Sequence, residues 1–237
     1  MKMKKWMVIG ALVAAGTFSA QAVSISWADS DGVGNWSAGA NWSAGVVPST
    51  PTYSHTLIKT HTTVWPTVDS DVPNVATLGV GWDSAEGELN VVDGAALGAV
   101  TLRVGYHSVG TLNVSGGNIT AISSLQLGWG DTTGGSGTAN LTGTGLLFSL
   151  AGTAEWYNGS QMKISDSAIF LITGDHTGEN WISTELIVAG EAGKTILSSY
   201  DEGTGRTSFI AIPESATLGL FAMVGGGLLF VRRKFQI

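Results

Sequence analysis

Leu78-Gly79-Val80-Gly81-Trp82 runs on to Gly87-Glu88-Leu89-Asn90. The same phrase returns as Leu102-Arg103-Val104-Gly105-Tyr106 with Gly110-Thr111-Leu112-Asn113. It returns again as Leu125-Gln126-Leu127-Gly128-Trp129 with Gly137-Thr138-Ala139-Asn140. The period is about 24 residues, with 131–136 as an insertion in the third copy. Each copy holds short alternating strands divided by glycine turns. A single copy is too small to bury its own apolar face, so copies have to stack into one continuous core. The repeat therefore predicts an all-β parallel β-solenoid. An antiparallel β-sandwich is the alternative that also yields short, evenly spaced strands.

Stacking has consequences for the repeated side chains. Equivalent positions in successive coils lie ~4.8 Å apart. Asn90, Asn113 and Asn140 should form a ladder of shared amide hydrogen bonds. Trp82, Tyr106 and Trp129 should form an aromatic column. If the column faces outward, these three are candidate glycan contacts, because an aromatic ring offers an apolar face with a polar handle. If it faces inward, it is core.

The repeat body spans 75–197. Before it, 23–74 is rich in Trp, Asn, Gly and Pro. There Asn35-Trp36-Ser37-Ala38-Gly39 recurs as Asn41-Trp42-Ser43-Ala44-Gly45, preceded by Trp27. These Asn-Trp pairs with glycine turns resemble the opening of autotransporter-like β-solenoid passengers. That resemblance implies a cap on the first coil, which otherwise has no neighbour to cover it. Further on, 156–168 carries a faint fourth copy. The polar stretch 198–212 reads as a linker.

Both ends carry targeting signals. Lys2, Lys4 and Lys5 precede a short apolar segment at 7–15, and Ala20-Gln21-Ala22 is a cleavage signal, so 1–22 reads as a signal peptide with its helix and a mature start at Val23. At the other end, Pro213-Glu214-Ser215 precedes an uncharged apolar run at 216–231 and then Arg232-Arg233-Lys234. Sixteen helical residues span roughly 24 Å, a little short of a bilayer's ~30 Å core, and the basic stop belongs on the cytoplasmic side. The segment 213–237 resembles the PEP-CTERM sorting signal of exopolysaccharide-producing Gram-negative bacteria. Ser215 stands where that family usually has proline. The resemblance implies recognition by an exosortase-type membrane transpeptidase at Pro213, Glu214 and Ser215. It further implies a transient single-pass inner-membrane helix backed by Arg232, Arg233 and Lys234, then release to the cell surface.

Charge narrows the partners. Residues 23–212 hold seventeen acidic side chains and five basic ones (Lys59, Arg103, Lys163, Lys194, Arg206), a balance of −12. Nucleic acid and anionic membranes need a basic footprint, so neither is an expected direct partner. Exopolysaccharide is, with divalent cations as bridges. The chain has no cysteine, so packing and backbone bonds alone hold it together. Asp29 and Asp31 sit at alternate positions around Gly32 and are candidate calcium ligands, against a plain Asp/Gly turn. His55, His61, His107 and His176 lack zinc-site spacing.

Three functions are weighed. The first is a non-enzymatic matrix protein with a structural or adhesive role. The second is a polysaccharide-cleaving enzyme on a β-helix, which would need acidic residues converging with Arg103 in a groove. The third is a periplasmic protein that keeps its membrane anchor.

Overall fold

The structure is a computed structural model that describes residues 23–214 except 30–31, 51, 60–63, 130–133 and 158. Signal peptide residues Ala20 and Ala22, and sorting residues Ser215, Arg232, Arg233 and Lys234, lie outside the described residues, as do both expected terminal helices. Among the described residues, no helix is long and apolar enough to cross a membrane.

The chain forms an all-β parallel β-solenoid of about five turns. Its strands are β1 (Ser24–Ser26), β2 (His55–Ile58), β3 (Thr67–Val68), β4 (Val75–Trp82), β5 (Gly87–Val92), β6 (Ala96–Tyr106), β7 (Val109–Ser115) and β8 (Asn118–Trp129). They continue as β9 (Ser136–Thr142), β10 (Leu146–Ser149), β11 (Ala154–Trp156), β12 (Gln161–Ile164), β13 (Ile169–Thr173), β14 (Ile187–Ala189), β15 (Lys194–Asp201) and β16 (Arg206–Pro213). Every pairing among β1 to β14 is parallel, which removes the sandwich alternative.

A full coil has three strand segments and therefore three faces. Strand β8 shows why: its first residues pair with β10 and its last with β11, so it turns a corner midway. The β6–β8 register shifts at the same corner, between Ala99 and Thr101. The first face carries the front of β6 and β8 with β10 and β13. The second carries β1, β2, β4 and the rear of β6 and β8 with β11. The third is the sheet β3-β5-β7-β9-β12-β14.

The repeat period sets the core. Leu89, Leu112, Ala139 and Met162 stack in register on the third face, and Val91, Val114, Leu141 and Ile164 stack beside them, all fully buried. Leu78, Leu102 and Leu125 do the same on the second. Each aliphatic side chain removed from water contributes about 1.5–3 kcal/mol.

The expected asparagine ladder is present. Asn113 Nδ2 donates to Asn90 Oδ1 at 2.9 Å, and Asn140 Nδ2 donates to Asn113 Oδ1 at 2.8 Å. Asn113 Nδ2 also donates to Glu88 Oε1 at 3.0 Å, so the middle rung is the most heavily bonded. Each net hydrogen bond contributes about 0.5–1.5 kcal/mol. Asn113→Ala should therefore cost about 2 kcal/mol in chemical denaturation, with Asn140→Ala costing about half as much. Equal losses would show that the ladder is not the source.

The faint fourth copy is a full coil: β11 pairs with β8, and β12 pairs with β9. A fifth follows in β13 and β14. The stretch 198–212, read from its polarity as a linker, instead lies within the antiparallel hairpin β15–β16, and β16 pairs antiparallel with β13. Its polarity reflects one wet face, since Thr207, Phe209 and Ala211 alternate inward along β16.

The opposite end is closed by tryptophan. Trp27, Trp36 and Trp42 are all buried, with Trp42 edge-on to Trp27 at 5.2 Å and to Trp36 at 4.6 Å. The Trp42 indole N–H donates to the Trp36 carbonyl at 2.9 Å. Asn41, fully buried, donates from Nδ2 to the Asn35 carbonyl at 3.0 Å. Each Asn-Trp pair thus supplies one wall of the same cap.

Candidate functional site

The second face gathers the sequence-predicted column. Trp82, Tyr106 and Trp129 are register partners on β4, β6 and β8. Trp82 and Tyr106 stack with centroids 4.1 Å apart, and Tyr106 and Trp129 at 6.4 Å. His55 closes one end edge-on to Trp82 at 5.8 Å, and Tyr157 closes the other edge-on to Trp129 at 5.0 Å.

The column lies on the outside of the coil. Along β6, Leu102 and Val104 point inward and are buried, so Arg103 between them points out. Its register partners are Gly79 on β4 and Gln126 on β8, and Gln126 pairs in turn with Glu155 on β11. Gly79 explains how the column begins. The Trp82 ring folds back over the space a side chain would occupy there, and an added Cβ would collide with its Cε3.

Beside the rings runs a polar row. Arg103 Nε donates to Gln126 Oε1 at 2.6 Å, and Gln126 Nε2 donates to Glu155 Oε2 at 2.8 Å. The Tyr157 hydroxyl donates to the same Glu155 oxygen at 3.1 Å. Partial burial pushes the Tyr157 hydroxyl above its usual range, and the adjacent Glu155 carboxylate adds to the shift. The Arg103 guanidinium carbon sits 5.3 Å from the Tyr106 centroid, 5.7 Å from Trp129 and 5.8 Å from Trp82. A cation held by three ring systems and one amide is pre-organised.

This geometry limits what the rings can do. Stacking along the solenoid axis covers ring faces with neighbouring rings, so solvent meets edges and Trp82 is 8% exposed. The groups that can reach a ligand directly are Arg103, Glu155 and the outer edges of Tyr106 and Trp129, with Gln126, 7% exposed, as the link between the two charges. Glu155 is the single carboxylate of the row, and Gln126 separates it from Arg103. A pair of facing carboxylates, the arrangement glycoside hydrolysis uses, is not built there.

The other candidates stand apart from this face. Asp29 adopts a left-handed backbone (φ 46°) and its buried Oδ1 has no hydrogen-bond partner among the described residues, while Asp31 lies outside them. Among the described residues no group of three His, Cys, Asp or Glu side chains is placed to hold a metal. Asp175 caps its own turn, accepting from the Thr177 amide at 3.0 Å and hydroxyl at 2.7 Å. Those bonds hold its carboxyl below the usual range. His176 stacks on Trp181 at 5.2 Å and its Nε2 lies 3.1 Å from the Thr173 carbonyl. Pro213 pairs with Lys194 at the end of the hairpin, and the Glu214 amide donates to the Gly193 carbonyl at 3.0 Å. Both Pro213 and Glu214 are exposed.

Comparison with protein-family models, curated proteins and solved structures finds no match to this chain.

Sequence reasoning alone leaves Gln126 and Glu155 unselected as partners of Arg103. For Gln126 a signal exists: it precedes Gly128-Trp129 by the spacing that sets Arg103 before Gly105-Tyr106. For Glu155 the spacing slips, because the corner after β10 is longer than in earlier coils.

Proposed function

We propose that this chain is an exported, non-catalytic protein of the cell surface or extracellular matrix that holds exopolysaccharide against the second face of its solenoid. One observation carries the reading: the outward row Arg103–Gln126–Glu155, stiffened by the Trp82–Tyr106–Trp129 column. Among the described residues, Arg103 uses its Nε on Gln126, and its two Nη groups have no protein acceptor. A guanidinium fork suits the paired oxygens of a sugar carboxylate or adjacent hydroxyls. Ring edges beside it offer apolar contact to sugar C–H groups.

The test is co-sedimentation of the protein with exopolysaccharide from its own cells. Arg103→Gln should weaken binding roughly tenfold, the loss of one charge-assisted contact. Its melting point is measured alongside, since Arg103 is half-buried and bonded to Gln126. Undiminished binding by Arg103→Gln would remove the second face from the reading.

Sorting by an exosortase-type enzyme is the other half of the proposal. Pro213 and Glu214 are exposed, at the end of β16, which suits a motif that a processing enzyme must reach. Intact mass of the protein from native cells decides between fates. A species running from Val23 to 213–215 outside the cell supports sorting. A species retaining Ile237 in the inner membrane favours an anchored periplasmic protein.

A further inference from the structure

We infer that two copies of this chain join end to end through β15, antiparallel and centred on Leu197. Among the described residues β15 is the last strand of its sheet and pairs with β16 alone. At eight residues it is far longer than the other sheet-end strands, β1 and β14 with three residues and β3 with two. Strand β1 is also covered. The Ser43 amide donates to the Ser26 carbonyl at 2.8 Å, and the Ser26 amide donates to Ser43 Oγ at 3.0 Å.

Native edges are usually blunted by charge, proline or a bulge. Between Lys194 and Asp201, β15 reads Thr-Ile-Leu-Ser-Ser-Tyr, six uncharged residues without proline. The charges at its two ends are occupied locally. Lys194 Nζ lies 2.9 Å from Glu191 Oε2. Asp201 accepts from the Gly203 amide and the Thr204 hydroxyl, both at 2.9 Å.

The hydrogen-bond phase selects the occupant. In an antiparallel ladder, alternate residues turn both backbone groups to the same neighbour. The Glu214 amide donates to the Gly193 carbonyl, and the Gly205 amide to the Asp201 carbonyl at 2.8 Å. Odd-numbered residues therefore face β16. Lys194, Ile196, Ser198 and Tyr200 turn their N–H and C=O groups to the open edge. These four positions are symmetric about Leu197. A second copy laid antiparallel with Leu197 on the two-fold axis matches Lys194 with Tyr200 of the second copy and Ile196 with its Ser198. All four donors and all four acceptors on each edge are then satisfied. The same operation keeps the outer face of one copy beside that of the other, as a two-fold normal to the sheet requires. It sets the two Leu197 side chains, each 45% exposed, against each other, with Ile210 of each copy alongside in register. An unrelated extended peptide could fill the edge but would not share this symmetry.

The chain has no cysteine, so a single introduced thiol reports contact cleanly. Residues facing each other across the axis in a non-hydrogen-bonded pair fall within disulfide range. In the full chain in detergent, Leu197→Cys should form a disulfide-linked dimer roughly a hundredfold faster than Val109→Cys, a comparably exposed site away from the edge. Leu197→Lys, which keeps the fold because the side chain is exposed, should halve the mass seen by light scattering. The inference is overturned if Leu197→Cys links no faster than Val109→Cys, or if Leu197→Lys leaves the mass unchanged.

Discussion

Gly110→Ala is expected to destabilise the repeat body by about 3 kcal/mol or more, a large fraction of the about 5–15 kcal/mol that holds an ordinary domain folded. The reason is backbone, not side chain. A Cβ at Gly110 would overlap the Val80 carbonyl oxygen of the preceding coil and the Gly105 amide nitrogen of its own coil. Flexible side chains can move aside; a carbonyl inside a parallel ladder can move only if the coil spacing changes. The repeat shows the same contact at Gly87 against the Ile58 carbonyl and at Gly137 against the Val104 carbonyl. Gly94→Ala is the control. Gly94 has a positive φ of 78°, unlike Gly110, and nothing lies within 4 Å of its added Cβ, so it should cost only about 1 kcal/mol of backbone strain. Urea unfolding of the two variants measures the difference. A loss at Gly110 no larger than at Gly94 would mean that close approach between coils is not what the repeated glycines serve.

That glycine pattern is also why so much of the fold is legible in the sequence. Gly-aromatic and Gly-x-x-Asn recur because each coil repeats one corner and one inner rung. Reading the period gives the register directly, and Asn90, Asn113 and Asn140 meet where the period puts them. The strand pattern around the hairpin is less legible. Strand β15 exposes Thr195, Leu197 and Ser199 on one side and, among the described residues, has a partner on one edge only, so its composition resembles a loop's. Strand length and pairing, not polarity, distinguish the two.

The candidate site was half legible for a related reason. The period places Trp82, Tyr106 and Trp129 in one column and predicts nothing about which side of the coil they occupy. Arg103 answers that, because the residue between two buried aliphatics must point out. The column's chemistry needed coordinates. Rings stacked on one another at 4.1 Å present edges, and an edge-presenting stack works as a brace for the neighbouring guanidinium more than as a sugar platform.

Trp42→Ala should cost about 3–5 kcal/mol, close to the largest effect of any single truncation in the cap. Trp42 is the shared member of the aromatic cluster: it is edge-on to both Trp27 and Trp36. Its removal opens a cavity against the first coil and leaves the Trp36 carbonyl without its indole donor. A comparison of phenylalanine variants separates packing from hydrogen bonding. Trp42→Phe loses the 2.9 Å bond, whereas the buried Trp36 indole nitrogen has no partner among the described residues, so Trp36→Phe sheds an unsatisfied donor. Both lose a similar volume from fully buried sites. Trp42→Phe should therefore be the more destabilising by about 1 kcal/mol in chemical denaturation. The reverse order would mean that the cap is held by shape alone. Because the cap covers the edge strand β1, Trp42→Ala should also raise the tendency to associate above that of the Leu197→Lys chain, whose open edge lies at the other end.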